Sequence, residues 1–279
     1  MTAETEGRVA AEAFRAEHRL GLRPLGDLAA LIEQVTGFDV AVLEAGPDEH
    51  GLTMRDPARD AVFIGVARTR RPMRQRSTLA HELAHVLFGD WVDDHDGDWG
   101  DRRFAEQRAD AFARHLLLPP EGVAQLVADR DLTSARLSNV VQWFLASPAM
   151  AAIQLYEGKH IDGVTKDRWM ATTTPQLAAR FGWSDQYAAL QAESDHPRAP
   201  QRLLARAIVG YAESVVPVQT IATLRGVSAE KAEAELREAG VVPAPRPVSW
   251  ADAGDLPDVD VDLADLDRDL AAPDGDRED

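Results

Sequence analysis

Cysteine is absent from the 279-residue chain. That excludes disulfides, a cysteine nucleophile and every thiolate metal site, so any bound metal would need histidine and carboxylate ligands. Long apolar runs are missing too: no stretch approaches the ~20 apolar residues that span a bilayer. The start, MTAETEGRVAAEAFRAEHRL, is charged where a signal peptide needs an apolar segment. Together these features set the expectation of a cytoplasmic protein with no membrane association. Positive charge is scarce, with 30 Lys and Arg against 47 Asp and Glu and a net charge of −17. The deficit is concentrated at the end: Ala251–Asp279 holds 12 acids against Arg268 and Arg277, a balance of −10, which leaves −7 for the other 250 residues. An acidic body with an acidic tail suits nucleic-acid phosphates badly. What remains is ordinary for a globular protein, 45% hydrophobic and 28% charged, in a chain long enough to bury a core.

Residues 8–19 read as a short amphipathic helix. Asp27 has the character of an N-cap for a second, DLAALIEQVTG, with Gly37 suited to its C-terminal turn. Three β-like segments follow, Asp39–Leu43, Gly51–Arg55 and Ala61–Val66, and the DPARD turn between the last two supports an antiparallel pairing. A helix is expected from Pro72 through HELAHVLFG to Gly89, then an acidic loop, DWVDDHDGDWGD, then a helix RFAEQRADAFARHLLL ending at Pro119–Pro120. Helical segments are expected over 121–160 and 200–240, separated by less regular sequence at 162–200. From Pro243 the chain turns Pro-rich and then acidic, and 246–279 reads as disordered. The expected fold class is α+β: a small antiparallel three-stranded sheet packed against two long helices, followed by a helical C-terminal region.

His81-Glu82-Leu83-Ala84-His85 is an H-E-x-x-H sequence. On a helix, positions i and i+4 share a face, so both imidazoles can reach one ion, while Glu82 lies at the edge of that face where it can touch a water. Leu83, Ala84, Val86 and Leu87 are assigned to the core side. A catalytic zinc takes three protein ligands and keeps an open fourth position. Glu106, on the next helix, is the candidate third ligand. Asp110, one turn later on the same face, can accept the free N–H of a ligand histidine and fix its tautomer.

With RQRSTLA before HELAH and EQRADAFARHLLLP after it, the chain resembles the ImmA/IrrE family of zinc metallopeptidases over about residues 20–120. The resemblance implies a core similar to thermolysin-type peptidases, Zn2+ as cofactor, His81, His85 and Glu106 as its ligands, Glu82 as general base and Asp110 behind a ligand histidine. It implies a protein substrate as well, a helix-turn-helix repressor in a stress or mobile-element response. The organisation that follows is a peptidase domain at 1–120, a helical region at 121–245 and the acidic tail. Peptide hydrolysis also needs a donor for the developing oxyanion. Tyr156, His160, Tyr187 and His196 are all candidates, and nothing in the sequence chooses among them.

Competing readings attach to several of these residues. Asp110 could pair with Arg114, four residues on. His115, nine residues past Glu106, falls on the opposite helix face and reads as a structural or surface histidine. Asp93–Asp96, with His95 inside it, has the composition of a metal site but reads as a solvated loop. The tail run DVDVDLADLDRD lacks the glycine and closing glutamate of an EF-hand loop. The rival to an enzyme is a non-catalytic or DNA-binding regulator that binds a repressor partner, because 132–161 and 215–241 have helix-turn-helix rhythm. Charge opposes the DNA-binding form, since Leu203–Gly240 carries four basic and five acidic residues, Glu230, Glu233 and Glu235 among them.

Overall fold

The computed structural model describes residues 1–45, 51–91, 99–128 and 132–245, with 99–101 described by backbone alone. Met1–Pro243 forms one compact unit and Ala244–Asp279 another. The expected solvated loop at Asp93–Asp96 and the expected disorder of 246–279 lie outside the described residues.

Helix α1 (Ala3–Glu17) opens under a Thr2 cap, whose Oγ1 accepts from the Thr5 N–H at 3.2 Å. Helix α2 (Leu28–Thr36) is capped by Asp27, which accepts from the Ala30 N–H at 2.9 Å, and it ends at Gly37 with φ 74°. The Asp27 and Gly37 signals were legible in the sequence, whereas the Thr2 cap and the start of α1 at Ala3 were not; all three satisfy backbone groups that a helix end leaves without partners.

Strands β1 (Asp39–Leu43), β2 (Gly51–Asp56) and β3 (Ala61–Ala67) form a sheet in the order β1-β3-β2. The β2–β3 pair is antiparallel, as the turn implied: Asp56 accepts from the N–H groups of Ala58 and Arg59 at 3.0 and 3.3 Å. The pairing of β1 with β3 is parallel, so the sheet is mixed and the all-antiparallel expectation is corrected. Burial explains the order. AVFIGVA, a near-continuous apolar run, takes the centre, while GLTMRD, exposed at Leu52, Arg55 and Met54, goes to an edge. The outer edge of β1 is covered by Arg198, which exchanges two backbone hydrogen bonds of 2.9 Å with Val42.

Helix α3 (Pro72–Phe88) and helix α4 (Trp99–Leu117) follow, and their inner faces join α1, α2 and the sheet in one core that includes Phe14, Ile32, Ile64, Leu83 and Phe112. Helix α1 lies so close to α4 that a Cβ on Gly7 would sit 2.4 Å from the Arg108 carbonyl oxygen.

Six short helices come next, α5 (Pro120–Val127), α6 (Ser134–Phe144), α7 (Pro148–Glu157), α8 (Gly163–Met170), α9 (Thr174–Phe181) and α10 (Ser184–Ser194). Phe144, Leu155, Trp169, Leu177 and Trp183 form their core. The stretch 162–200, expected to be less regular, holds three of these helices. Two are eight residues long, too short to show a hydrophobic period, yet each is locally capped: Asp162 accepts from the Thr165 N–H at 2.8 Å, and Thr173 with Gln176 forms a capping box. Helices α11 (Gln201–Ala212), α12 (Val218–Arg225) and α13 (Ala229–Glu238) share a third cluster around Tyr211, Ile221 and Leu236.

Candidate metal centre

Helix α3 carries His81, Glu82 and His85. Pro72 starts it, and Gly89, with φ 72°, ends it by donating its N–H to the carbonyls of His85 and Val86. Leu79, Ala80, Leu83, Ala84 and Val86 bury one face, which leaves the His81–Glu82–His85 face half-buried towards solvent. Leu87, assigned from sequence to the core side, is 42% exposed. It shares a face with the buried Leu83, one turn earlier, but lies in the last turn of the helix.

Helix α4 crosses beside α3 and brings Glu106 and Asp110 to that face. Asp110 Oδ1 lies 2.9 Å from His81 Nδ1. On the other side of the pair, Asp90 Oδ2 lies 3.2 Å from His85 Nδ1. An ionised carboxylate only accepts, so each Nδ1 carries the hydrogen, and each neutral imidazole then presents a bare lone pair at Nε2. Those two Nε2 atoms are 2.9 Å apart. Glu106 completes the group, with Oε2 3.1 Å from His81 Nε2 and Oε1 3.6 Å from His85 Nε2. With both imidazoles in that form, three acceptors converge with no donor among them, an arrangement that repels itself unless a proton or a metal cation sits between. His81, His85 and Glu106 are the set that, among the described residues, could hold a metal ion.

The electrostatics agree. Burial, the largest influence on His81, opposes its imidazolium form. The hydrogen bond and charge of Asp110, with the charges of Glu106 and Glu82, outweigh it and leave the pKa raised. A centre that draws a proton in this way draws a metal cation for the same reason. Glu82 is also pushed up, by burial first and by Glu106, against the lowering influence of the two histidines.

Glu82 sits in a cleft of about 470 Å³ lined by Ser77, His81 and Asp110 and walled by Met150 and Ile153 of α7. On its other side β2 passes so close that a Cβ at Gly51 would lie 2.2 Å from Glu82 Oε1. The structure thus adds residues that sequence reading missed. Asp90 stands directly after the Gly89 helix stop, Gly51 opens an edge strand, and Met150 and Ile153 come from a helix assigned to packing. Of these, only Asp90 carried a signal, as a carboxylate five residues past His85.

The other candidates are placed elsewhere. Arg114, the alternative partner of Asp110, instead binds Glu4 and donates from Nε to Gln154 at 3.0 Å. His115 is buried, its Nε2 2.8 Å from Glu4, which makes it structural. Tyr156, His160, Tyr187 and His196 do not line the cleft: Tyr187 packs on Trp183 in the second core, and His196 Nδ1 donates to the Pro197 carbonyl at 2.6 Å.

Residues 36–156 match the peptidase family described as the IrrE N-terminal-like domain. That segment runs from the end of α2 through the sheet, α3 and α4 to Tyr156 on α7, so it extends past Pro120 and takes in the wall of the cleft. The chain is also 29% identical over 140 residues to the radiation response metalloprotease IrrE of Deinococcus radiodurans. The matched stretch covers 48% of this chain and 41% of that protein, less than half the length of either. The match to a peptidase domain agrees with a metal ion held by His81, His85 and Glu106, and no described helix is long and apolar enough to cross a membrane. Residues 36–156 thus carry a segment similar to the IrrE N-terminal-like peptidase domain, and the metal-ligand candidates His81, His85 and Glu106 all lie within it.

Proposed function

We propose that the protein is a zinc endopeptidase of the gluzincin type, in which His81, His85 and Glu106 hold the ion, Glu82 is the general base and Asp110 orients His81. The carrying observation is the convergence of two imidazole lone pairs and one carboxylate, with each imidazole held from behind by its own aspartate. Tetrahedral zinc with ligand bonds of about 2.0–2.1 Å separates its donor atoms by about 3.3 Å. The three separations here, 2.9, 3.1 and 3.6 Å, straddle that value. Neutral imidazoles with a carboxylate and no thiolate suit zinc among the common first-row ions.

When bound, zinc would supply Lewis acidity towards the scissile carbonyl and a more acidic water. The chain's own residues do the rest. Glu82, one position from His81 and turned into the cleft, takes the proton of the attacking water on its carboxylate and passes it to the leaving amine. Its burial raises its proton affinity, which suits both halves of that exchange. An extended substrate segment can add to the free edge of β2, which runs past Glu82 and has no strand on that side among the described residues. The substrate we propose is a helix-turn-helix repressor met in the cytoplasm, by likeness to the family.

Two measurements test this. Elemental mass spectrometry of the purified full-length chain should find about one zinc per molecule. Glu82→Gln should keep that zinc and lose cleavage by roughly 10²–10⁴-fold, because an amide cannot take the proton. Undiminished turnover in Glu82→Gln would sink the mechanism. No zinc even when zinc is offered would favour a non-catalytic regulator.

A further inference from the structure

We propose that Arg108 and Glu6 belong to the metal centre, as the outer links of a positioning chain that fixes His85 through Asp90. The inference rests on the zinc site proposed above. Asp90 uses both oxygens: Oδ2 faces His85 Nδ1 at 3.2 Å, and Oδ1 accepts from Arg108 at 2.7 Å. The other terminal nitrogen of Arg108 reaches Glu6 Oε2 on α1 at 3.3 Å. The guanidinium carbon lies over Phe88, 3.9 Å from the ring centroid, three residues past His85 on the same helix. One side chain of α4 therefore holds together the end of α3, Asp90 two residues beyond it and the first turns of α1.

The chain is built, not incidental. The side chains of Arg108 and Asp90 are 17% and 22% exposed, so their pairing is much less screened than a surface ion pair. Glu6 can reach because the neighbouring residue is Gly7, which lets α1 approach the α4 backbone closely. Arg108 supplies what Asp90 needs for its task. Asp90 borders the ligand helix without being part of it, and a free carboxylate there could rotate away. Held by a guanidinium on one oxygen, it presents the other to Nδ1 and keeps Nε2 bare for the ion. His81 gets the same service from Asp110 alone, which sits inside α4 and needs no outside clamp.

A merely structural ion pair would hold α1 against α4 and leave the histidine untouched, so the test reads the imidazole and the metal directly. In the zinc-free full-length protein, ¹⁵N ring spectra should show His85 as the Nδ1–H tautomer. Asp90→Asn, whose amide can donate, should convert it to Nε2–H and leave His81 unchanged. Zinc affinity, measured by chelator competition, should fall ~10–100-fold in Asp90→Asn. It should fall by a smaller factor, about 3–10-fold, in Arg108→Gln, and Arg108→Gln should add almost nothing once Asp90→Asn is present. Should Asp90→Asn not fold, Arg108→Gln and Glu6→Gln carry the test. An unchanged tautomer and affinity in a folded variant would overturn the inference, as would an Arg108→Gln effect equal in both backgrounds. Wild-type protein that binds no zinc would overturn the site reading and this inference with it, whereas zinc bound normally by all the variants would overturn this inference alone.

Discussion

Gly51→Ala is the substitution whose effect can be worked most directly from the structure. The added Cβ would meet Glu82 at 2.2 Å from Oε1, 2.6 Å from Cδ and 2.7 Å from Cγ, where ordinary contact begins at about 3.4 Å. The carboxylate must therefore retreat by more than about 1 Å. Nothing else need move, because Gly51 does not hold a positive φ and the obstructing atoms end a flexible side chain. Stability should change little: alanine gains about 0.4–1 kcal/mol through the unfolded chain, and a displaced Glu82 rotamer costs about 0.5–1.5 kcal/mol. Catalysis should suffer far more, since a misplacement of about 1 Å can cost ~10²-fold. That corresponds to ~2.7 kcal/mol in the barrier. Initial rates on a pool of internally quenched peptides, or on the repressor once known, would give kcat/KM for wild type and variant, with zinc content and melting temperature measured on the same samples. The loss should also vanish in a Glu82→Gln background, where there is no base left to misplace. A Gly51→Ala enzyme with zinc bound and activity within threefold of wild type would refute the reasoning, as would a loss of the same size with and without Glu82.

Further outcomes follow from other contacts. Asp110→Ala should weaken zinc binding ~10–100-fold, and Glu106→Ala, which removes a donor atom itself, should weaken it well beyond that; equal losses by chelator competition would mean the two carboxylates have been given each other's roles. Gly7→Ala should cost about 1–3 kcal/mol, seen as a lower melting temperature, because its Cβ would strike the Arg108 carbonyl and the Phe112 nitrogen, backbone atoms that cannot swing aside as Glu82 can. His115 supplies a pH dependence. Burial, followed by Arg114 and Arg8, lowers its pKa against the raising pull of Glu4, and its neutral form is held by Glu4 at Nε2 and Gln154 at Nδ1. The unfolded imidazole therefore takes up its proton first as pH falls below about 6.5, and stability should decline from there, by at most about 1.4 kcal/mol per pH unit for this one group, until the folded one titrates too. In His115→Gln the melting temperature should lose part of that slope, and an identical slope would show that another group carries it.

Local pattern reached a long way into this protein. The caps Asp27 and Gly37, the stop at Gly89 and the strands within a residue or two were all readable, because each depends on residues that neighbour one another in the chain. So was the pairing of His81 with His85 and of Glu106 with Asp110, since helical spacing puts each pair on one face. The mixed sheet was not readable, because β1 pairs with β3 and not with β2, the next strand in the chain, and nothing local to β1 records that. Asp90 and Gly51 show the same limit at the site. Asp90 is one acid in an acidic stretch until α4 brings Arg108 to it. Gly51 is one glycine at the start of a strand until α3 sets Glu82 against it. Residues whose role lies within one helix were legible, and those whose role lies between elements needed the fold.

The charge balance of the centre argues for a tightly held ion. Glu82, Asp90, Glu106 and Asp110 surround two imidazoles, and Arg108, bound to Asp90 and shared with Glu6, is the basic side chain hydrogen-bonded into the group. A monovalent cation would leave that group well short of neutral, whereas a divalent ion on the two nitrogens and Glu106 offsets most of the excess where the acceptors crowd closest. The raised proton affinity of His81 marks the same deficit from the proton's side, so protons and metal compete for one place. As pH falls through the His81 titration the proton gains, and metal affinity falls with it. Glu82 lies outside that competition, one residue along the helix and turned into the cleft. It remains free to accept a proton while the ion occupies the histidines. On the proposed reading, that division between residues that hold and a residue that reacts is what a catalytic site requires and what a structural site, with every position on the ion filled by protein ligands, does not provide.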